Sequence, residues 1–266
     1  MTSDAVTFVQ SKDNPQLKAL RRLASEPTAY RAHGCVWLEG EHLCQAASAR
    51  GISPKQAVFS QTRWTALGPD SHYHGTKCLV VADALWSAIS ALPSPAGCAF
   101  VVDTPPAPVI APLLATVVLD RVQDAGNVGS ILRSAAAFGF AQVIALSGTA
   151  ALWSPKVLRA GMGAHFALRL IEGADLNALD ALHVPLLVTS SHSGQPLHAS
   201  HWPWPCAWAF GHEGQGLAQA LMQRAQHSVR IAQPGGEESL NVAAAAAICL
   251  HASGLGSEAL AGATQT

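Results

Sequence analysis

This 266-residue chain is poor in charge: only 12% of its residues are charged and the formal net charge is −1. No global field therefore draws in nucleic acid or an anionic membrane, and any contact with a polyanion must rest on local patches. Paired cysteines are also missing. Cys35, Cys44, Cys78, Cys98, Cys206 and Cys249 lie far apart with no C-x-x-C pair. That argues against a zinc cluster or a disulfide framework and suits a reducing compartment. The N-terminus lacks a basic stretch followed by an apolar one, so no signal peptide is visible. The alanine-rich run near 243–249 is too short to span a bilayer. A soluble cytoplasmic protein is expected, without membrane or metal. The G-x-G-x-x-G fingerprint and a Walker lysine are absent, which speaks against a dinucleotide oxidoreductase. His192, His198 and His201 sit among Pro, Ser and Trp without an H-E-x-x-H register, and read as loop histidines rather than metal ligands.

What the chain does have is apolar bulk. Hydrophobic residues make up 49% of it, enough for a large core in one or two domains. Pro93, Pro95, Pro105, Pro106, Pro108 and Pro112 then mark a stiff segment. We expect a domain over 1–104, a linker at 105–114, a second domain over 115–255 and a flexible tail at 256–266. Beyond the linker, apolar strands at 116–119, 141–146, 166–171, 185–189, 206–210 and 228–231 alternate with helices near 127–138, 155–161, 175–182, 217–225 and 241–252. That alternation predicts an α/β fold with a parallel sheet covered on both faces. The first domain also alternates: a basic helix near 15–24, a strand at 35–38, a helix after Gly40 and strands at 56–59 and 99–102.

Three polar islands each close an apolar run, as expected where an α/β domain assembles a site from strand-to-helix loops. The first spans 124–133 and holds Asn127, Gly129 and Arg133. Its glycines permit a tight turn, Asn127 can cap the following helix, and the helix start offers free N–H groups. On spacing alone, an ordinary capped helix with a surface arginine fits equally well. The second spans 209–217 and sets Glu213 among Gly211, Gly214 and Gly216, either a close backbone approach to a ligand or a surface turn. The third spans 229–241: a strand, a Pro-Gly-Gly turn, Glu238, Ser239, Leu240 and Asn241, then a helix of nearly pure alanine that Ser239 or Asn241 caps. Small side chains there allow another backbone segment or a second subunit to press close.

In order and wording, the N-x-G-x-x-x-R, G-x-E-G-x-G-L and E-S-L-N-V islands resemble the three motifs of the SpoU–TrmH family, the RNA ribose 2′-O-methyltransferases of the SPOUT superfamily. Residues 154–166 resemble the family's segment between its first two motifs. Residues 11–18 and 37–40 resemble the small L30e-like RNA-binding domain that many members carry, so the likeness runs from about 10 to 253. It implies a SPOUT-type parallel sheet with a deep trefoil knot, a homodimer, and S-adenosyl-L-methionine as cofactor. Gly211 and Gly216 would shape the adenosine pocket, with Ile231 and Leu240 lining it. Asn127, Arg133, Glu213, Ser239 and Asn241 would gather near the transferred methyl. RNA contacts are expected from Lys18, Arg21 and Arg22, which share a helix face, and from Lys156 and Arg159 at the catalytic face. Ribosomal RNA is the first choice of substrate; transfer RNA, or a catalytically inactive RNA-binding protein of the same fold, are the alternatives. One departure stands out: where the family usually has Gly-Asn-Glu, this chain has Gly211-His212-Glu213.

Overall fold

The computed structural model describes residues 6–68, 76–190, 194–199, 201–235 and 239–263. The chain forms two compact units, one within 1–106 together with 153–166, the other comprising 107–152 and 167–266.

The first unit runs β1 (Val6–Val9), α1 (Pro15–Ser25), α2 (Ala29–His33), β2 (Cys35–Glu39), α3 (Glu41–Ala49), β3 (Gln56–Ser60), α4 (Gln61–Leu67), β4 (Cys78–Val81), α5 (Asp83–Trp86) and β5 (Cys98–Asp103). Its sheet has the order β1-β4-β3-β5-β2 and is mixed: β5 runs antiparallel to both β2 and β3. The helix expected near 15–24 is α1, because Asn14 caps it by accepting the Gln16 N–H at 2.8 Å and Pro15 fits its first turn. Leu17, Leu20, Leu23 and Ala24 face the core at helical spacing, which turns Lys18, Arg21 and Arg22 outward. In the 37–40 segment, Glu39 is buried and accepts from Trp37 Nε1 at 3.4 Å, from the Ala91 N–H at 3.2 Å and from Ser90 Oγ. That motif is therefore a buried polar brace for the strand.

The second part of the chain runs β6 (Thr116–Asp120), α6 (Ala125–Ala137), β7 (Gln142–Leu146), α7 (Pro155–Gly161), β8 (Arg169–Ala174), a 3₁₀ segment (Leu176–Ala181), β9 (Leu186–Thr189), β10 (Gln195–Pro196), β11 (Ala207–Gly211), α8 (Gln219–Met222), β12 (His227–Arg230) and α9 (Val242–Ala263). The order β10-β12-β9-β11-β6-β7-β8 is parallel throughout, as the strand–helix alternation predicts. Val117, Val118, Leu119, Val143, Ile144, Trp208 and Phe210 are fully buried in it. Trp208 Nε1 donates to Ser253 Oγ at 2.8 Å, tying α9 to β11.

Five local expectations are corrected. Asp124, not Asn127, caps α6: its extended backbone lets Oδ1 accept the Asn127 N–H at 2.7 Å. The segment 175–182 forms a 3₁₀ helix, and the helix expected over 217–225 is the single turn of α8. The flexible tail expected at 256–266 is helical as far as Ala263, because a run rich in alanine and leucine carries α9 onward; residues 264–266 lie outside the described residues. Finally, α7 belongs to the first unit, where it packs on β2 and α1. No helix among the described residues is long and apolar enough to cross a membrane.

Candidate active site

The chain leaves β6 for β7 and β8 on one side and returns to β9 and β11 on the other, so the strand order reverses between β6 and β11. In open α/β sheets the crevice at the carboxyl ends of the strands beside such a switch is where ligands sit. The register brings those ends level, with Gly211 opposite Asp120. A cavity of about 350 Å³ opens there, within the range of small-molecule sites.

The loops after β11 and β12 form most of its wall. Gly211, Glu213 and Gly216 come from the first of these; Ile231, Ser239, Leu240 and Asn241 come from the second. All four residues expected to bind cofactor and three of the five expected to be catalytic therefore line one cavity. Asn127 joins them through hydrogen bonds. Its Nδ2 donates to Glu213 Oε1 at 3.1 Å, and its Oδ1 accepts from Asn241 Nδ2 at 3.0 Å. Asn241 in turn caps α9, its Oδ1 accepting the Ala243 and Ala244 N–H groups at 2.9 and 3.2 Å. Of the two candidate caps, Asn241 is the one used; Glu237 and Glu238 lie outside the described residues. One chain of hydrogen bonds thus links all three islands.

Arg133 stands apart. It is exposed on α6, does not line the cavity, and its side chain has no hydrogen bond or ion pair among the described residues. Lys156 and Arg159 lie on α7 in the first unit, not among the cavity loops. Lys18 pairs with Asp13 at 3.5 Å and Arg22 with Glu26 at 3.1 Å, both exposed. Such pairs are worth at most about 1 kcal/mol and leave both cations open to a polyanion. His198 and His201 belong to no metal-capable cluster among the described residues, and His192 lies outside them.

The carboxylates here anchor the loops. Burial opposes the charge on Glu213, but N–H groups of its own backbone, Asn127, Asp124 and Gln123 outweigh it and hold the carboxyl below its ordinary range. Burial likewise opposes the charge on Asp120; hydrogen bonds from Arg121 and the Ala218 N–H at 2.7 Å win, so its pKa too is lowered. Asp120 and Arg121 escaped the sequence reading. Arg121 adopts a left-handed conformation at φ 58°, bonds Asp120 through two nitrogens, and reaches Gln215 Oε1 at 3.0 Å and the Gly216 carbonyl at 3.4 Å. The available signal was a charged pair closing an apolar strand. Thr189, Ser190 and Gln233 also line the cavity, and no local pattern marks them.

Residues 115–251 match the SpoU rRNA Methylase family. The chain is 28% identical to the 23S rRNA (guanosine(2553)-2′-O)-methyltransferase RlmP of Bacillus subtilis, covering 91% of this chain and 97% of that one. It is 32% identical to an uncharacterized tRNA/rRNA methyltransferase of Synechocystis, covering 94% of each. Among solved structures, the AdoMet-bound rRNA methyltransferase of Sinorhizobium meliloti superposes with a TM-score of 0.81 at 26% identity, covering 93% of this chain and 97% of that one.

Proposed function

Because the chain belongs to the SpoU rRNA methylase family, we propose that it methylates a ribose 2′-hydroxyl in RNA with S-adenosyl-L-methionine as donor, ribosomal RNA being the first choice of substrate. The observation that carries this reading is the hydrogen-bonded chain Glu213–Asn127–Asn241, which joins the three islands at one cavity. The Bacillus relative, named for 2′-O-methylation of 23S rRNA, supports ribosomal RNA; the Synechocystis relative, named for both RNA classes, keeps transfer RNA as the alternative.

The residues present fit the cofactor. Gln233 Oε1 is buried in the cavity wall and finds no donor among the described residues, an acceptor suited to the amino or ammonium group of such a ligand. Gly211 leaves its backbone bare, since a Cβ there would run into Gly216. Gly211, Gly216, Ile231 and Leu240 would hold the adenosine end. When bound, S-adenosylmethionine supplies an electrophilic methyl on a sulfonium.

The chain's own groups then orient the acceptor. Asn127 and Asn241 fix the loops around the reacting centre, and Ser239 offers a hydroxyl beside it. Glu213, with its carboxyl held low, serves as an anchor and is a weak base. Arg133 keeps its proton, as guanidinium does in proteins; it binds the phosphate beside the target ribose and turns the hydroxyl into line. Lys18, Arg21, Arg22, Lys156 and Arg159, all in the first unit, hold the RNA by its phosphates. The same reading gives the first unit an L30e-like role in substrate binding, the second a trefoil knot, and the protein a homodimeric state in the cytoplasm. Exposed Met222 and Ile248 on the second unit support a partner surface.

The test is transfer of labelled methyl from S-adenosylmethionine to size-separated RNA from cells lacking the gene. Wild type should label one RNA class at an alkali-resistant position, and Arg133→Ala should lose about 10²-fold or more, as expected of a lost positioning group. Label in transfer RNA would move the substrate class; no label in any RNA that the protein binds would leave the inactive binding-protein alternative.

A further inference from the structure

The loop after β11 closes on a histidine. The His212 N–H donates to the Gly216 carbonyl at 3.1 Å and the Gly216 N–H returns to the His212 carbonyl at 2.8 Å, pairing the two ends of the loop. Inside it, His212 Nδ1 accepts the Gly214 N–H at 3.0 Å and the Gln215 N–H at 3.2 Å. Nδ1 can accept only when it carries no proton, so this geometry requires a neutral ring with its proton on Nε2. Protonation would turn the acceptor into a donor aimed at two other donors. The same loop forms part of the cavity wall through Gly211, His212, Glu213 and Gly216.

We propose that His212 is a positioning residue that holds the loop after β11 in its cofactor-binding shape only while its imidazole is neutral, which makes cofactor affinity fall on acidification. The inference rests on the function proposed above and adds a proton-sensitive element to that site. An asparagine in this place would also present an acceptor to the following N–H groups, as in an Asx turn, but would not titrate.

Charged groups around this loop come from β6, from the loop itself and from the start of α6, and Asp120 is the one that interacts electrostatically with His212. Asp120 at the end of β6 and Glu213 in the loop itself are negative, and Arg121, bonded to Gln215 and Gly216, is positive. Asp124, at the start of α6, donates its N–H to Glu213 at 3.4 Å. Asp120 and Glu213 are held below the ordinary carboxylate range and Arg121 above the ordinary arginine value, so none of these three changes charge between about pH 5 and 8. The competent loop binds one proton fewer than the disrupted one. Affinity is therefore full while the imidazole is neutral and falls as it takes up a proton, by up to about tenfold per pH unit.

Calorimetric titration of the full chain with S-adenosylmethionine at about pH 8 and about pH 5.5 tests this. Wild type should bind about tenfold or more weakly at the lower pH. His212→Asn should match wild type at high pH and stay within about twofold across the range, because it keeps the acceptor and lacks the proton. His212→Ala should bind weakly throughout. In the cofactor-free protein, the ¹⁵N shifts of the His212 ring should report a bare Nδ1 and a protonated Nε2. Parallel pH profiles for wild type and His212→Asn, or a proton on Nδ1 at high pH, would overturn the proposal. If wild type bound no S-adenosylmethionine at either pH, the function proposed above would fall and take the cofactor half of this inference with it. The ring tautomer would still decide whether His212 locks the loop.

Discussion

An alanine at Gly211 would place its Cβ 2.4 Å from the Gly216 carbonyl carbon and 2.5 Å from both the Gly216 oxygen and the Leu217 nitrogen. All three are backbone atoms, so no rotamer change relieves the contact. The loop must move by roughly 1 Å to reach ordinary van der Waals distance, and that motion pulls apart the reciprocal His212–Gly216 pair. Two backbone hydrogen bonds at about 1 kcal/mol each, or an overpacking strain of about 1–3 kcal/mol, set the cost. Gly211→Ala should therefore weaken S-adenosylmethionine binding about 30- to 100-fold and lower Tm by on the order of 5–10 °C. Two neighbouring glycines provide the internal comparison. At Gly216 a Cβ meets nothing within 4 Å among the described residues, but φ is +65°, so Gly216→Ala should cost about 1 kcal/mol through backbone conformation alone. At Gly214 a Cβ touches, among the described residues, only the His212 ring, at 3.8 Å, and alanine should be nearly silent. Differential scanning calorimetry and calorimetric titration on the three variants read the ranking. A Gly211→Ala protein that binds like wild type, or a Gly214→Ala protein that fails as badly, would refute the reasoning.

Asn241→Ala removes both the α9 cap and the link to Asn127, and should cost about 1–2 kcal/mol in urea unfolding. Asn241→Asp restores the cap but has no amide to donate to Asn127, so stability should recover while methyl transfer stays low. Asp120 and Glu213 are both more acidic in the folded chain than their ordinary values, so they stabilise it at neutral pH. That contribution is lost as pH falls below the ordinary carboxylate range; urea midpoints should hold between about pH 6 and 5 and decline below about pH 4. Asp120→Asn should lower neutral stability by about 1–3 kcal/mol and soften that acid decline. Replacing Lys18, Arg21 and Arg22 together by Gln should weaken RNA binding and reduce the slope of log affinity against log salt by about 2, for three lost contacts to single-stranded RNA. An unchanged slope would remove α1 from the RNA surface.

The sequence by itself determined β6, β7, β9, β11, β12 and the α/β class of the second unit, because buried parallel strands are short apolar runs that punctuation at 127, 139 and 211 delimits without help from the rest of the chain; the two-residue β10 escaped it, and the strand expected at 166–171 lies at Arg169–Ala174, behind a 3₁₀ turn at Ala164–Ala167. The order of the three islands also sufficed to name the family. Caps were harder. Asp124 and Asn127 are both suited to cap α6, and only the extended backbone at Asp124 selects between them. The four-residue strands β1 and β4 and the helices α2, α4 and α5 of the first unit were missed, because such short segments carry too few periods to reveal a pattern. Tertiary structure alone decided the rest. Asp120 and Arg121 are an unremarkable pair in the sequence; they become a brace for the loop after β11 because the parallel register sets Asp120 opposite Gly211, 91 positions away. Asn127, Glu213 and Asn241 are separated by 86 and 114 positions from Asn127, and only the reversal of strand order between β6 and β11 brings their loops to one cavity. Local pattern fixes which residues end a strand. Which strand ends become neighbours depends on burying every apolar face at once, and no segment of the sequence encodes that alone.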